Sequence, residues 1–119
     1  MVKEKNINAE NIKTQMRKGT LDFSVLLIIS RGKAYSSAII KDLKKANLIV
    51  VEGTLYPLLN RLKRNGLLNY SWKESKSGPP RKYYSLTPEG RKTLNSLINT
   101  WSDMQSSMTT LIKHYEKSN

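Results

Sequence analysis

EGTLYPLLNRLKRNGLL, residues 52–68, is the stretch that decides the fold. Leu55, Leu58, Leu59 and Leu62 fall at i, i+3, i+4 and i+7, the spacing of one helix face, and Gly66 follows as a residue suited to a left-handed helix end. The spacing predicts a helix with its leucines in the core. The remaining side chains, Thr54, Tyr56, Asn60, Arg61 and Arg64, include types that bond base edges or phosphates, so one helix can pack and read at once. Arg61 has a second reading as a surface ion-pair partner. Pro57 forfeits one i to i−4 bond, so the helix is expected either to start near Glu52 with a slight bend or to begin later.

Upstream, residues 1 to about 16 are polar and weakly periodic, which suggests a frayed arm or a loosely docked helix. From Leu21, the set Leu21, Val25, Ile28 and Ile29, joined by Leu26 and Leu27, predicts a helix buried on most sides and ended around Arg31 and Gly32. A short second helix starts at Ser36 or Ser37, with Ile39, Ile40 and Leu43 on one face and Lys41, Lys44 and Lys45 on a solvated one. The β-branched run 48–51 fits a short strand or an extended connection.

Downstream, Leu68, Tyr70 and Trp72 alternate, and RKYYSL repeats β-prone residues after Ser77-Gly78-Pro79-Pro80, a pattern that predicts a hairpin with a basic tip. Thr87 and Pro88 read as the cap and first residue of a helix running to about Tyr115. Along it Leu94, Leu97, Ile98, Trp101, Met104, Met108, Leu111, Ile112 and Tyr115 recur every three or four residues. That helix outlasts the small domain before it, and its apolar seam needs a second surface, most simply the same helix of a second subunit. His114, near its end, is expected to be solvated.

Charge follows the same division. The chain has 119 residues, with 21 Lys+Arg against 9 Asp+Glu, a formal charge of +12 that favours polyanions. Residues 1–92 hold 19 basic and 7 acidic side chains, whereas the rest holds Lys113 and Lys117 against Asp103 and Glu116. With no cysteine, thiolate metal sites and zinc fingers are excluded. The N-terminus lacks the apolar core of a signal peptide and the longest aliphatic run, Val25 to Ile29, is too short to span a bilayer, so a cytoplasmic protein without membrane association is expected. One histidine, no cysteine, no phosphate-binding glycine loop and no paired carboxylates argue against an enzyme, and no cofactor is implied.

Three helices, a basic hairpin and a long helix follow the order of a winged helix-turn-helix: mainly α, with a small β-hairpin and a long C-terminal dimerisation helix. The expected division is an N-terminal arm over 1–15, a DNA-binding domain over 16–87 and a dimerisation helix over 88–119. RKGTLDFSVLLII, EGTLYPLLNRLKRNGLL and RKYYSLTPEG, in this order and at family-like spacing between about residues 16 and 92, also resemble the PadR family of bacterial transcriptional regulators. The tip departs from the glycines of many PadR wings, having Gly78-Pro79-Pro80.

The resemblance implies that Thr54, Tyr56 and Pro57 lie nearest the DNA, and that Tyr35 and Ser36, at the start of the second short helix, touch phosphate through a hydroxyl or the helix N-terminus. Against this stands a capping role for Ser36 and a half-buried anchoring role for Tyr35. Lys73, Lys76, Arg81 and Lys82 surround the hairpin turn, and the last three stand where a wing meets the phosphate backbone or minor groove; their bland reading is a solvated turn whose charges discourage edge pairing. Trp101 is open between plain dimer packing and a ligand role. In short PadR-like regulators that sense drugs, a tryptophan at this place sandwiches flat aromatic ligands, and Ile98, Met104 and Met108 would be its adaptable neighbours here.

The expected function is therefore sequence-specific DNA binding by a homodimeric regulator, read as a repressor on a palindromic double-stranded operator and released by a small aromatic effector if Trp101 serves a ligand. The alternative is a basic helical adaptor for an acidic protein or an anionic membrane. An adaptor would not require a basic hairpin directly after a basic amphipathic helix.

Overall fold

The computed structural model describes residues 2–118, with side chains described from residue 8 onward. The elements run α1 (Val2–Gly19), α2 (Leu21–Ser30), β1 (Ala34–Tyr35), α3 (Ser36–Lys45), α4 (Glu52–Arg64), β2 (Leu68–Lys73), β3 (Arg81–Leu86) and α5 (Pro88–Ser118). A mainly helical chain with a small sheet and a long last helix matches the class expected.

The core forms where the apolar periods converge. Leu21, Val25, Leu26 and Ile29 of α2, Ile39 and Leu43 of α3, and Leu55, Leu58, Leu59 and Leu62 of α4 are all buried, joined by Leu68, Tyr84 and Leu94. Burying a leucine or isoleucine side chain contributes about 1.5–3 kcal/mol, so these contacts position α4 far more firmly than its polar ones do. α3 and α4 stop by the same device. Asn47 takes φ +62° and Gly66 φ +79°, and Leu48 and Leu67, the next residues, return N–H bonds to the carbonyls of Leu43 (2.8 Å) and Leu62 (3.0 Å).

The three strands form an antiparallel sheet in the order β1-β3-β2. The hairpin register sets Tyr70 opposite Tyr84, Trp72 opposite Lys82, and Lys73 opposite Arg81. β1 adds to the outer edge of β3 through Ala34 opposite Tyr84 and Tyr35 opposite Tyr83.

The start of α5 is locked to the turn after α4. The Thr87 hydroxyl donates to the Gly66 carbonyl at 2.6 Å and accepts the Gly90 N–H at 2.9 Å, while the Thr87 N–H bonds the Leu67 carbonyl at 3.1 Å. Gly90 permits this approach: a Cβ there would stand 2.1 Å from the Leu67 carbonyl oxygen. From Ile98 onward every described side chain of α5 is exposed. The radius of gyration is 17.6 Å, against about 13.5 Å for a compact chain of this length.

The structure chooses between several readings left open and adds a strand. The segment read as a frayed arm or a loosely docked helix has a helical backbone as part of α1, exposed over residues 8–19. The run 48–51 is an extended connection with no strand of its own, and the third strand is Ala34–Tyr35, where two residues are too few to show a period. The α4 helix starts at Glu52 with Pro57 inside it. The N-cap of α3 is Tyr35 without a side-chain bond, so Ser36 has no capping role.

Candidate nucleic-acid interface

One face of α4 is exposed. Thr54, Tyr56, Pro57, Asn60, Arg61 and Arg64 all reach solvent, while the four leucines on the other face are buried. The division follows from the period alone, since residues not at i, i+3, i+4 and i+7 turn away from the core.

The start of α3 meets the first half of this face. The Tyr56 hydroxyl lies 3.3 Å from Ser36 Oγ, tying α4 to the first residue of α3. Behind them the Tyr84 hydroxyl is buried and has no hydrogen-bond partner among the described residues. Burial first, and then the neighbouring Tyr56 and Tyr70 phenols, raise its pKa above the ordinary tyrosine value, so it stays a neutral O–H.

The wing cations are held against aromatic rings. The Arg81 guanidinium is 4.2 Å from the Tyr35 ring centre, and Lys82 Nζ is 4.5 Å from that of Tyr70 and 5.6 Å from that of Trp72. Lys73 sits 5.7 Å from Tyr83, and Lys63, at the end of α4, 5.3 Å from Tyr70. Tyr35 and Tyr83 themselves lie 4.8 Å apart. Rings beneath the cations restrict their side chains and so lower the entropy lost when they meet an anion. Lys76 is exposed in the loop between the strands, close to Gly78 at φ +131°.

Ser36 thus meets Tyr56 and the neighbouring Tyr35 meets Arg81, whereas Lys82 sits over a separate pair of rings, Tyr70 and Trp72. Arg61 is held elsewhere: its Nη2 lies 2.9 Å from both carboxylate oxygens of Asp22 in α2, the ion-pair geometry anticipated as its second reading. The α5 seam divides. Leu94 is buried at 4 % exposure in the chain's own core and Leu97 packs beside it, so these two are already covered by the domain. Ile98, Trp101, Met104, Met108, Leu111, Ile112 and Tyr115 are exposed. The Trp101 ring lies 6.4 Å from that of Phe23 in α2.

Sequence reasoning missed the organising residues Asp22, Phe23, Lys63, Tyr83 and Tyr84, and it read Tyr70 and Lys73 only as hairpin residues, without their ring contacts. The cross-strand neighbours were not legible from the turn residues, since the strands close symmetrically about Ser77 and not about Gly78-Pro79, which sets Trp72 opposite Lys82. No local signal marks Asp22 as the partner of a residue 39 positions away. Among the described residues no helix is long and apolar enough to cross a membrane.

Comparison with known proteins agrees with this geometry. The model of the transcriptional regulator PadR-like family matches residues 25–96. A PadR-like transcription factor from Bacteroides fragilis shares 50% identity, covering 85% of this chain and 98% of its own, with a TM-score of 0.72. A PadR family transcriptional regulator from Eggerthella lenta shares 32% identity at TM-score 0.84, covering 94% and 97%. A PadR-like regulator from Bacillus cereus shares 34% at 0.73, covering 82% and 96%. A curated but uncharacterised protein from Lysinibacillus sphaericus is 24% identical over 97 residues, 79% of this chain and 89% of that protein.

Proposed function

Because the chain belongs to the PadR-like family of transcriptional regulators, a family of DNA-binding regulators and not enzymes, we propose that it is a cytoplasmic homodimeric repressor of a palindromic operator. In this reading the arm, 1–15, and the head, 16–87, serve DNA binding, and the helix over 88–119 pairs two copies. Thr54, Tyr56, Pro57, Asn60 and Arg64 enter the major groove, where Thr and Asn bond base edges and Arg bonds guanine or phosphate. Arg61 joins them by exchanging Asp22 for a phosphate. Tyr35 and Ser36 meet the adjacent backbone at the start of α3, and Lys76, Arg81 and Lys82 grip the flanking backbone or minor groove.

The observation that carries this reading is the two-sided division of α4, four leucines buried and the polar set exposed next to Ser36. Dimerisation rests on the apolar stripe of Ile98, Trp101, Met104, Met108, Leu111, Ile112 and Tyr115, which is exposed along the helix, with Leu94 and Leu97 supporting it from the head side. Steric occlusion of a promoter needs no catalysis, and bending or spreading the two heads is enough to release it. A small aromatic effector fits Trp101, whose ring is partly exposed beside Ile98, Met104 and Met108.

The test is selection of genomic fragments by the purified protein, followed by sequencing and footprinting. The expected result is a motif with two inverted half-sites about one helical turn apart. Fragments bound without a common motif would sink the operator reading. Tyr56→Ala is expected to weaken the selected site at least about tenfold, the loss of roughly 1.4 kcal/mol, with helix content unchanged; an unchanged band shift would remove α4 from the reading role.

A further inference from the structure

We propose that Asp22 and Phe23 are positioning residues for DNA recognition: consecutive side chains on α2 that couple the packing of Trp101 on α5 to the hold on Arg61 of α4. The inference rests on the reading above, in which α4 is the recognition helix and α5 joins two copies.

Consecutive residues on a helix point about 100° apart, so one turn can touch two different neighbours. Here it does. The Phe23 ring lies 6.4 Å from the Trp101 ring at an interplanar angle of 44°, on the side facing α5. The Asp22 carboxylate receives Arg61 Nη2 at 2.9 Å on both oxygens, on the side facing α4. Between these contacts stands a rigid element, since Leu21, Val25, Leu26 and Ile29 root α2 in the core. A displacement of Trp101 is therefore passed to α2 as a small tilt, because a packed interior repacks between discrete arrangements and does not flow.

Arg61 is the end of the line that matters for DNA. With the Asp22 carboxylate in place its guanidinium is oriented and its charge largely neutralised; with Asp22 displaced it becomes a mobile free cation on the recognition helix. The pair is half-exposed on both sides, 48% and 44%. Such pairs add little to stability, so its loss leaves the fold standing and its effect on recognition can be read by itself. Phe23 is likewise only partly buried, and it touches the one tryptophan on the seam.

The experiment measures the ratio of operator to random-sequence affinity, in which long-range charge effects cancel, using a fragment recovered by the selection described above. In the otherwise unchanged protein, Trp101→Leu is expected to lower that ratio about fivefold, the low end of ordinary allosteric coupling. In the Phe23→Leu or Asp22→Asn background the same change is expected to lower it by less than about twofold, since the coupler is already cut. Asp22→Glu, which keeps the carboxylate, is expected to retain the Trp101 sensitivity that Asp22→Asn loses. Trp101→Phe is run beside Trp101→Leu, so that a failure of the leucine variant to dimerise still leaves a measured arm.

Equal drops in every background would overturn the coupling while leaving operator recognition intact. So would an Asp22→Glu protein that behaves as Asp22→Asn. If the unaltered protein shows no preference for the selected fragment, the operator reading fails and the coupling fails with it.

Discussion

The first ten residues of α5 and the 21 that follow share one unbroken helix and have opposite surroundings. Leu94 is 4% exposed, in the core beside α2 and β3, whereas Leu111 is 58% exposed and Ile112 52%. The apolar period runs through both without a break, so the period says which face is apolar and not what covers it. The start of the helix is held by its own chain through Thr87 and Gly90. The apolar stripe beyond it is exposed, with Trp101 meeting Phe23 of α2 at 6.4 Å between ring centres, and its charge is balanced while the head carries the whole formal excess. A net-neutral tail is the part of this molecule that two copies can bring together at least electrostatic cost, since the +12 heads repel each other.

The largest expected break in this contrast is at Gly90. A Cβ there would lie 2.1 Å from the Leu67 carbonyl oxygen and 2.8 Å from Leu86 Cδ1, so Gly90→Ala must push α5 off the turn after α4. The expected loss is about 3 kcal/mol in urea unfolding, the upper range for overpacking. Ser107→Ala, in the exposed stretch, should stay within about 0.5 kcal/mol. Similar small losses at both sites would mean that the helix start is not locked to the head.

Leu111→Asp attacks the other half. A carboxylate placed twice on the seam of a dimer should raise its dissociation constant about 100-fold, roughly 2.7 kcal/mol, while each head keeps its unfolding midpoint. Sedimentation equilibrium reads the mass directly. A variant that stays dimeric at low micromolar concentration would show that the copies meet elsewhere.

Two threonines sharpen the same comparison at smaller scale. Thr87 Oγ1 bridges Gly66 and Gly90, whereas Thr110 Oγ1 only returns a bond to the Ser106 carbonyl at 3.1 Å within its own helix. Thr87→Ala is expected to cost about 1–2 kcal/mol as a lost cap and an unsatisfied contact. Thr110→Ala should be neutral or slightly stabilising, because alanine is the better helix former and the back-bond adds little. Thermal melts of both proteins in one buffer decide it.

How much of this was legible in the sequence depends on the range of the contact. The buried leucines of α4, the Gly66 stop and the Thr87-Pro88 start are local and were readable from spacing and residue type. Pro57 was legible as an irregularity, but the four core leucines around it hold the helix from Glu52 onward. The strand at Ala34–Tyr35 was not readable, since it exists only because β3 offers it an edge. Leu94 and Leu97 looked like the rest of the seam, because burial by one's own chain and burial by a partner leave the same pattern. At the interface the residue types of α4 and the wing were evident. What escaped was the company they keep: the Asp22 carboxylate on Arg61, and the rings of Tyr35, Tyr70 and Tyr83 beneath the wing cations.

The smallest expected effect separates the two regions by charge. Lys76 is exposed near the wing tip and Lys113 is exposed on the distal stretch of α5, so each alanine variant removes one positive charge from solvent with little effect on packing. A lysine that touches a phosphate releases about one counterion on binding, and its removal flattens the slope of log affinity against log salt by about 0.9. Lys76→Ala is expected to show that change for operator and random DNA alike, as a backbone contact carries no sequence information. Lys113→Ala should leave the slope within error, because a charge more than about 10 Å from the DNA is screened at ordinary salt. Equal slopes for the two variants would place the tail as near the DNA as the wing, and the division of the molecule into a basic reading head and a neutral pairing helix would fall.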